Sequence, residues 1–256
     1  MTNRRTRLYL CWVSVVLTIV FALPSCGQDN TAPSAPVVSD PADMLPIEIE
    51  DLKVHSRILG QDVAYSIILP YDYYSSSKNY PVVYMLHGIG GDHTSWMEYG
   101  NVARVMAKMP VEKAIIVSPD GYDSYYSNTY DGKLRYESFF LEELIPTVDK
   151  GFRTFATREG RSIMGFSMGG FGALTLALKH TDTFSAVAAL SASIRTDEQY
   201  MTEGPQKEWD WQWGRIFGGV GKTGKDRLTA YYRQCNPTDI LSKIDTSQLR
   251  GLRMMI

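Results

Sequence analysis

Short, continuous apolar runs recur along this chain, and segments with helical patterning separate them. A strand buried on both faces is apolar throughout, which is typical of a parallel sheet covered by helices on both sides. The predicted strands are Pro81–Leu86, Ala114–Ser118, Ser162–Met164, Ala186–Leu190 and Leu252–Ile256. The predicted helices lie near Trp96–Lys108, Tyr136–Val148, Met168–Lys179 and Asp226–Gln234. Alternating strands and helices predict the α/β fold class with a mostly parallel sheet.

The segment before the first of these runs follows a different pattern. Residues Ile47–Val54 and Val63–Pro70 alternate apolar and polar side chains, and Gly60–Asp62 is predicted to be the turn between them. Alternation with a period of two predicts strands that bury one face. We therefore expect an N-terminal antiparallel hairpin at one edge of the sheet.

The N-terminal residues have the pattern of an export signal. Basic residues precede the uncharged run Leu8–Leu23, which is shorter than the roughly 20 residues of a membrane span. The sequence LPSC (Leu23–Cys26) resembles the lipobox of bacterial lipoproteins, in which Cys26 would become the acylated N-terminus. The alternative is an ordinary secretory signal that ends near an incidental cysteine.

The segment after Cys26 is rich in proline, serine, threonine and aspartate, a composition typical of a flexible tether. The domain prediction is therefore a lipoprotein-type signal peptide over residues 1–26, a tether over 27–46 and an α/β domain over 47–256. We expect a lipid-anchored protein of the bacterial cell envelope, on the periplasmic or cell-surface face. Its contact with the membrane would be through the lipid anchor alone.

Composition and charge exclude several classes of partner and cofactor. The net charge of -2 over 256 residues provides no basic field for nucleic acid. The sequence contains no H-E-x-x-H, no C-x-x-C and no paired histidine cluster, so we expect no metal site and no cofactor. Of the three cysteines, Cys235 alone belongs to the domain. We therefore expect no internal disulfide, and we predict that Cys235 is an apolar packing residue.

A serine framed by glycines, G-F-S-M-G at residues 165–169, directly follows the predicted strand Ser162–Met164. A helix is predicted to begin at Met168, which gives the motif the strand–turn–helix context of a nucleophile elbow. We infer that Ser167 is a catalytic nucleophile and that the backbone N–H of Met168 helps to hold an oxyanion. The structural alternative is a glycine-rich turn whose serine merely faces solvent.

The loop after the predicted strand Pro81–Leu86 is expected to supply the second donor of the oxyanion hole. His87 and Gly88 stand where folds with such an elbow place their other oxyanion N–H, and we predict that the backbone of Ile89 donates it. We predict that His87 braces this loop rather than acting as the base. His93, in the same loop, is a candidate for lining the substrate pocket.

Several stretches resemble, in combination, the esterase family of α/β-hydrolases. They are LHGIGGDHTSW, VSPDGYDSYY, ESFFLEELIPTVD, MGFSMGGFGALTLALKH and GLRMMI. The resemblance covers residues 47–256, and the family includes esterase D, feruloyl and acetyl-xylan esterases, enterochelin esterases and the antigen 85 mycolyltransferases. It implies an α/β-hydrolase fold and a serine that attacks carboxylic esters through an acyl-enzyme.

In that family the catalytic acid and then the histidine follow the serine, and the acid comes directly after a strand that GLRMMI resembles. No histidine of this chain lies beyond the end of the helix after Ser167; the four are His55, His87, His93 and His180. The resemblance therefore implies that the acid and the histidine lie beyond Ile256, and that the last strands and the closing helix of the fold are missing. We expect the 256-residue chain to be inactive and prone to aggregate.

Two aromatic-rich stretches are candidates for contact with substrate. Residues 121–132 follow the carboxyl end of a strand, where α/β folds bind ligands, and contain Tyr125 and Tyr126. The stretch EWDWQWGRIFG contains Trp211 between two other tryptophans and is predicted to form an insertion that acts as a lid. Aromatic faces can hold sugar rings or a phenolic acyl group. The alternative is that these aromatic residues simply pack the insertion against the domain.

The predicted function is an exported serine carboxylic-ester hydrolase, and in particular a carbohydrate esterase that removes feruloyl or acetyl groups. Its partner would be a small-molecule or polysaccharide ester. Two alternatives stay open. One is an acyltransferase of the mycolyltransferase type, which differs in the acceptor that reaches the acyl-enzyme. The other is a non-catalytic carbohydrate-binding lipoprotein that has kept the elbow.

Overall fold

The computed structural model describes residues 45–108 and 113–256. The predicted signal peptide (1–26), the acylation at Cys26 and residues 27–44 of the predicted tether lie outside the described residues. Every helix in the described ranges falls short, in length or in apolar content, of one that spans a membrane.

One seven-stranded sheet forms the centre of the described part, with the strand order β1-β2-β4-β3-β5-β6-β7. The strands are β1 Ile47–Ser56, β2 Gln61–Leu69, β3 Val82–Leu86, β4 Ile115–Pro119, β5 Arg161–Phe166, β6 Ala186–Leu190 and β7 Arg253–Met255. β2 pairs antiparallel with both β1 and β4, and all other neighbouring strands are parallel. The mostly parallel sheet with an N-terminal antiparallel hairpin confirms the predicted fold class.

The helices of the described residues are α1 Ser95–Glu98, α2 Val102–Lys108, α3 Tyr136–Phe139, α4 Ile145–Gly151, α5 Met168–Lys179, α6 Asp197–Thr202, α7 Gln206–Trp209, α8 Arg215–Phe217, α9 Ala230–Cys235 and α10 Pro237–Lys243. A π-helical turn, Phe140–Leu144, joins α3 to α4, and a second, Asp210–Gly214, joins α7 to α8. The prediction for Tyr136–Val148 is confirmed as one continuous helical segment, and α5 has the predicted bounds.

Both faces of the central strands are buried, which explains their continuous apolar runs. On β3, Tyr84 and Leu86 belong to the larger apolar cluster, whereas Met85 between them belongs to a smaller cluster on the opposite face. Met97 and Val102 of α1 and α2 cover that smaller cluster. Because successive side chains of a strand point to opposite faces, a strand between two layers of helices is apolar at every position.

The hairpin turn differs from the prediction. Gln61 and Asp62 were expected in the turn, but they pair with β1 as the first residues of β2, and the turn consists of Arg57–Gly60. A distant residue contacts the observed turn: Glu143 accepts hydrogen bonds from the Ser56 hydroxyl and the backbone N–H of Arg57. Gly60, with a φ of 67°, ends the turn.

Two predicted helices are also different. The segment Trp96–Lys108 is interrupted between α1 and α2, where Asn101 has a φ of 49°, a conformation that asparagine tolerates and that a helix excludes. The segment Asp226–Gln234 is an α-helix only from Ala230 onward, and its first two residues belong to a separate 3-10 helix, Gly224–Arg227. There the Thr229 hydroxyl caps a new helix by accepting the N–H of Tyr232 at 3.0 Å.

Apolar surface is accessible at the β7 end of the sheet. Met254, Met255 and Ile256 are exposed, and a cavity of about 650 Å³ lies along the strands from Val83 to Met254. Accessible apolar surface of this kind favours association between molecules. The aggregation expected from it stays a prediction.

A buried carboxylate ties α3 to the end of α5. Glu137 accepts hydrogen bonds from Lys179 Nζ at 2.6 Å and from His180 Nε2 at 2.8 Å. Burial alone would raise the pKa of Glu137, but the bonds from His180 and Lys179 outweigh it and hold that pKa below its ordinary value. The side chain of His180 at the end of α5 therefore forms a hydrogen bond to another helix.

Substituting Glu137→Gln is expected to lower the free energy of unfolding at pH 7 by about 2 kcal/mol, because the Lys179 ammonium loses its charged partner and the bond to His180 loses its carboxylate acceptor. A carboxylate whose pKa is lowered by folding stabilises the native state above its unfolded pKa, and this contribution is lost as the pH falls through the folded value. Urea titrations of both proteins should therefore converge as the pH falls through the folded pKa of Glu137, which lies below that of an unfolded glutamate. The control is Glu142→Gln, which changes an exposed carboxylate on the same helical segment and should be neutral. An equal loss from both substitutions would contradict the role of the cluster.

Candidate active site

Strained backbone is concentrated at one edge of the sheet. Five of the seven non-glycine residues with positive φ in the described part lie in loops that follow the parallel strands β4, β5 and β6. They are Tyr122, Tyr125, Tyr126, Ser167 and Ser191. Such conformations are costly and persist where the surrounding structure enforces them, which is common at functional sites.

The elbow predicted from the sequence is present at this edge. β5 ends at Phe166, α5 begins at Met168, and Ser167 between them has φ 55° and ψ -114°. Both backbone groups of Ser167 are held, because its N–H donates to the Leu190 carbonyl at 3.0 Å and its carbonyl accepts the Ser193 N–H at 3.0 Å. The turn is thus clamped to the end of β6, with the partly exposed Ser167 at its apex.

Glycines permit the close approach of the elbow to its neighbours. A Cβ on Gly165 would lie 2.2 Å from the carbonyl carbon of Gly169, and a Cβ on Gly169 would lie 2.2 Å from the Leu86 carbonyl oxygen. Gly172, one turn further along α5, faces the ring of Tyr126, which would lie 2.6 Å from an added Cβ.

The loop after β3 runs beside the elbow. A Cβ on Gly88 would lie 3.5 Å from the Cβ of Ser167, so the loop contacts the predicted nucleophile. Within the described residues, the backbone N–H groups of Met168 and Ile89 donate to no protein acceptor. Two unpaired donors next to a serine are what an oxyanion hole requires, and they are the two donors selected from the sequence.

His87 braces this loop, as predicted. Its Nε2 accepts the backbone N–H of Gly121 at 2.8 Å, so the proton must be on Nδ1, which donates to the Gly88 carbonyl at 2.7 Å. The Tyr126 hydroxyl donates to the His87 carbonyl at 3.1 Å. With both ring nitrogens used and the side chain buried, His87 is not available to Ser167.

The other three histidines also have partners away from the elbow. His55 contacts Asp62, His93 Nε2 donates to Asp51 Oδ1 at 2.9 Å, and His180 contacts Glu137. In residues 45–108 and 113–256, Ser167 forms no hydrogen bond with a histidine, and no cluster of side chains suits a metal ion. The elbow and its donors are therefore assembled without a general base.

The tyrosines selected from the sequence lie beneath the site rather than on its surface. Tyr125 and Tyr126 are fully buried, and burial raises the pKa of both phenols above their ordinary value. The Tyr125 hydroxyl accepts a hydrogen bond from Gln212 at 2.7 Å and lies 3.4 Å from the Ser193 hydroxyl. Their predicted contact with substrate stays untested, whereas their support of the loops is direct.

An apolar cleft of about 450 Å³ lies between the loop after β3 and the segment α1. Phe166, the residue before the predicted nucleophile, is 50% exposed and lines it. The other lining residues are His87, Gly88, Ile89, Gly90, Gly91, Ser95, Trp96, Tyr99, Gly100 and Leu190. His93 is not among them, because its side chain is turned toward Asp51.

Sequence inspection missed Asp123. Its Oδ1 accepts the backbone N–H of Gly90 at 2.8 Å, and its carbonyl accepts a hydrogen bond from Arg215 Nη2 at 2.9 Å. Asp123 thus connects the loop after β3 to the insertion that contains Trp211. An acidic residue in a loop after a strand was the only signal in the sequence.

Comparison with known proteins agrees with this geometry. The chain is 37% identical over 152 residues to Esterase Rv1288 of Mycobacterium tuberculosis, an alignment that covers 57% of this chain and 33% of the relative. It is 29% identical over 162 residues to an endo-1,4-beta-xylanase/feruloyl esterase of Xylanibacter ruminicola, covering 59% of this chain and 22% of the relative. The aligned part therefore spans a third or less of the length of these curated relatives.

A solved structure shows the same fold. FphF, a fluorophosphonate-binding serine hydrolase of Staphylococcus aureus, superposes with a TM-score of 0.67 at 24% identity, over 82% of this chain and 78% of that chain. The family model described as "Putative esterase" matches residues 56–247, which include the elbow, the loop after β3 and the insertion. Since this match extends over most of the chain, the protein belongs to the esterase family of α/β-hydrolases.

Proposed function

We propose that this chain carries the nucleophile and the oxyanion hole of an exported serine carboxylic-ester hydrolase that deacylates carbohydrates. The observation that carries the proposal is the strained elbow at Ser167, with φ 55°, beside two backbone N–H groups that have no acceptor among the described residues. Holding a serine in this conformation has a cost, and a reaction that uses the exposed hydroxyl explains why the cost is tolerated.

The chemistry follows from these groups. The Ser167 oxygen attacks the ester carbonyl, and its proton passes to a general base as the new C–O bond forms. The N–H groups of Met168 and Ile89 donate to the carbonyl oxygen as it becomes negatively charged. Collapse of the tetrahedral intermediate breaks the bond to the alcohol, which leaves with the proton from the base. Water then attacks the acyl-enzyme by the same steps, releases the acid and restores the serine.

We propose that the base and its orienting carboxylate come from outside these 256 residues, since all four histidines are engaged elsewhere. The cleft along Phe166 and Leu190 is the proposed place for the base, because it exposes apolar surface directly beside the nucleophile. Without a base, Ser167 is a weakly nucleophilic alcohol, and this chain alone has little activity.

Esters of polysaccharides, with feruloyl or acetyl groups, are the proposed substrates. The name of the Xylanibacter relative combines a xylanase with a feruloyl esterase, which supports an acylated xylan as the substrate class. Export and lipid anchoring through Cys26 remain part of the proposal and are supported by the sequence pattern of residues 1–26.

The proposal is tested by supplying the base as free imidazole. We expect imidazole to produce turnover of p-nitrophenyl acetate by the purified chain, and this turnover should saturate with ester concentration. Imidazole also cleaves this ester without a protein, so the control is Ser167→Ala at the same imidazole concentrations. The difference between the two proteins is the serine-dependent rate. Equal rates at every imidazole concentration would contradict the proposal.

A further inference from the structure

One tryptophan of the insertion is not used in packing. Trp209 and Trp213, on the segment from α7 to α8, are 1% exposed, whereas Trp211 between them is 51% exposed. Trp209 donates its indole N–H to the Tyr200 carbonyl at 3.0 Å, and Trp213 packs 4.6 Å from Tyr125, measured between ring centroids. The insertion is therefore anchored to the domain by the two outer tryptophans, and its attachment leaves the central indole on the surface.

The exposed indole is nevertheless held in place. The Arg215 guanidinium lies 5.4 Å from the centre of the Trp211 ring, and its Nε donates to the Trp211 carbonyl. The neighbouring Gln212 donates to the buried Tyr125 hydroxyl at 2.7 Å. A large side chain whose backbone and one flanking side chain are fixed loses little conformational entropy when a ligand stacks on it.

The same contacts attach this indole to the active-site edge. Arg215 Nη2 donates to the Asp123 carbonyl, and the Asp123 carboxylate accepts the N–H of Gly90, a residue that lines the cleft beside Ser167. The side chains of Arg215 and Asp123 thus link Trp211 to the loop that carries Ile89. This chain of contacts connects the surface at Trp211 with the cleft beside the nucleophile.

The chemistry around the ring favours a sugar over an apolar acyl group. In the described part of the chain, Nη1 of Arg215, whose guanidinium lies over the Trp211 ring, has no hydrogen-bond partner, and neither has Oδ2 of Asp123, the residue that Arg215 contacts. A pyranose ring presents an apolar face of C–H groups and a rim of hydroxyls, and it can satisfy both features together. A phenolic acyl group would leave most of these polar atoms without partners.

We propose that Trp211, Arg215 and Asp123 form a subsite that binds a pyranose ring of the oligosaccharide that carries the ester. The proposal rests on the proposed action on carbohydrate esters and names the part of the chain that holds the sugar. It requires binding only, so it can be tested without ester turnover.

The test is a calorimetric titration of the purified chain with xylohexaose and, separately, with methyl ferulate. We expect xylohexaose to bind, and we expect Trp211→Ala to weaken that binding about tenfold, as the loss of one well-placed stacking contact does. Trp211→Phe should restore most of the affinity, since it keeps an aromatic face. Melting temperatures should be unchanged, because the side chain is half exposed.

The matched control is Tyr74→Ala, which removes an aromatic ring that is 72% exposed in the loop after β2 and does not line the cleft. This change should leave xylohexaose binding unaltered. The inference is overturned if xylohexaose does not bind, if Trp211→Ala binds it as tightly as the parent chain, or if methyl ferulate is the ligand that depends on Trp211. Sugar binding that persists while imidazole fails to produce serine-dependent turnover would count against the proposed function and leave the subsite standing.

Discussion

Replacing Gly169 with alanine is expected to lower the free energy of unfolding by at least about 4 kcal/mol. This is an exceptionally large destabilisation for the addition of one methyl group. The added Cβ would lie 2.2 Å from the carbonyl oxygen of Leu86 and 2.6 Å from that of His87. Both obstacles are backbone atoms, so no side chain can rotate away. Relief would require the start of α5 to move off the end of β3, which would separate the elbow from the loop that carries Ile89.

Chemical denaturation monitored by tryptophan fluorescence measures this effect. The control is Gly151→Ala at the end of α4, where an added Cβ meets no atom within 4 Å, so the substitution should change stability by less than about 1 kcal/mol. If Gly169→Ala proved as stable as the control, the close contact between α5 and β3 would be wrong. The geometry of the proposed oxyanion hole would then be wrong as well.

The absence of a base among the described residues has the largest expected effect on rate. Removing the histidine of a serine hydrolase triad costs on the order of 10⁶ in turnover, so acylation of Ser167 in this chain should be slower than in a complete triad enzyme by a similar factor. The readout is the rate at which a fluorophosphonate probe adds to the protein, followed by mass spectrometry. A ferulic acid esterase serves as the reference, and Ser167→Ala defines the background.

Rapid labelling of Ser167 would contradict this expectation, because it would mean that a histidine of this chain can reach the serine. His93 would be the first candidate. One of its ring nitrogens is buried without a partner, and the other contacts the exposed Asp51. His93→Gln would then abolish the labelling, whereas a chain without a base would be unaffected by this substitution.

Features that depend on neighbouring residues were predictable from the sequence. The apolar runs located the parallel strands, and the small residues after Met168 located α5 to the residue. The motif at 165–169 identified the elbow, because a glycine–x–serine–x–glycine turn between a strand and a helix has few other conformations. Periodicity and turn chemistry act over a few residues, and they leave their pattern in the order of the amino acids.

Features that depend on distant residues were not predictable. Glu143 accepts a hydrogen bond from the hairpin turn, and the Asp123 carbonyl accepts one from Arg215. Each bond joins residues more than 80 positions apart in the chain. The tyrosines at 125 and 126 and the tryptophan at 211 have similar aromatic surroundings in the sequence, yet the first two are buried and the third is half exposed.

The amino-acid order alone was sufficient to predict the fold class and the strand–turn–helix elbow at Ser167, because each of these follows from a local pattern. The partners of the histidines, the burial of the aromatic residues and the link from Trp211 to the cleft were decided by tertiary structure. Each of these is a contact between segments far apart in the chain. The residues around a given position do not determine which distant segment will contact it once the sheet has formed.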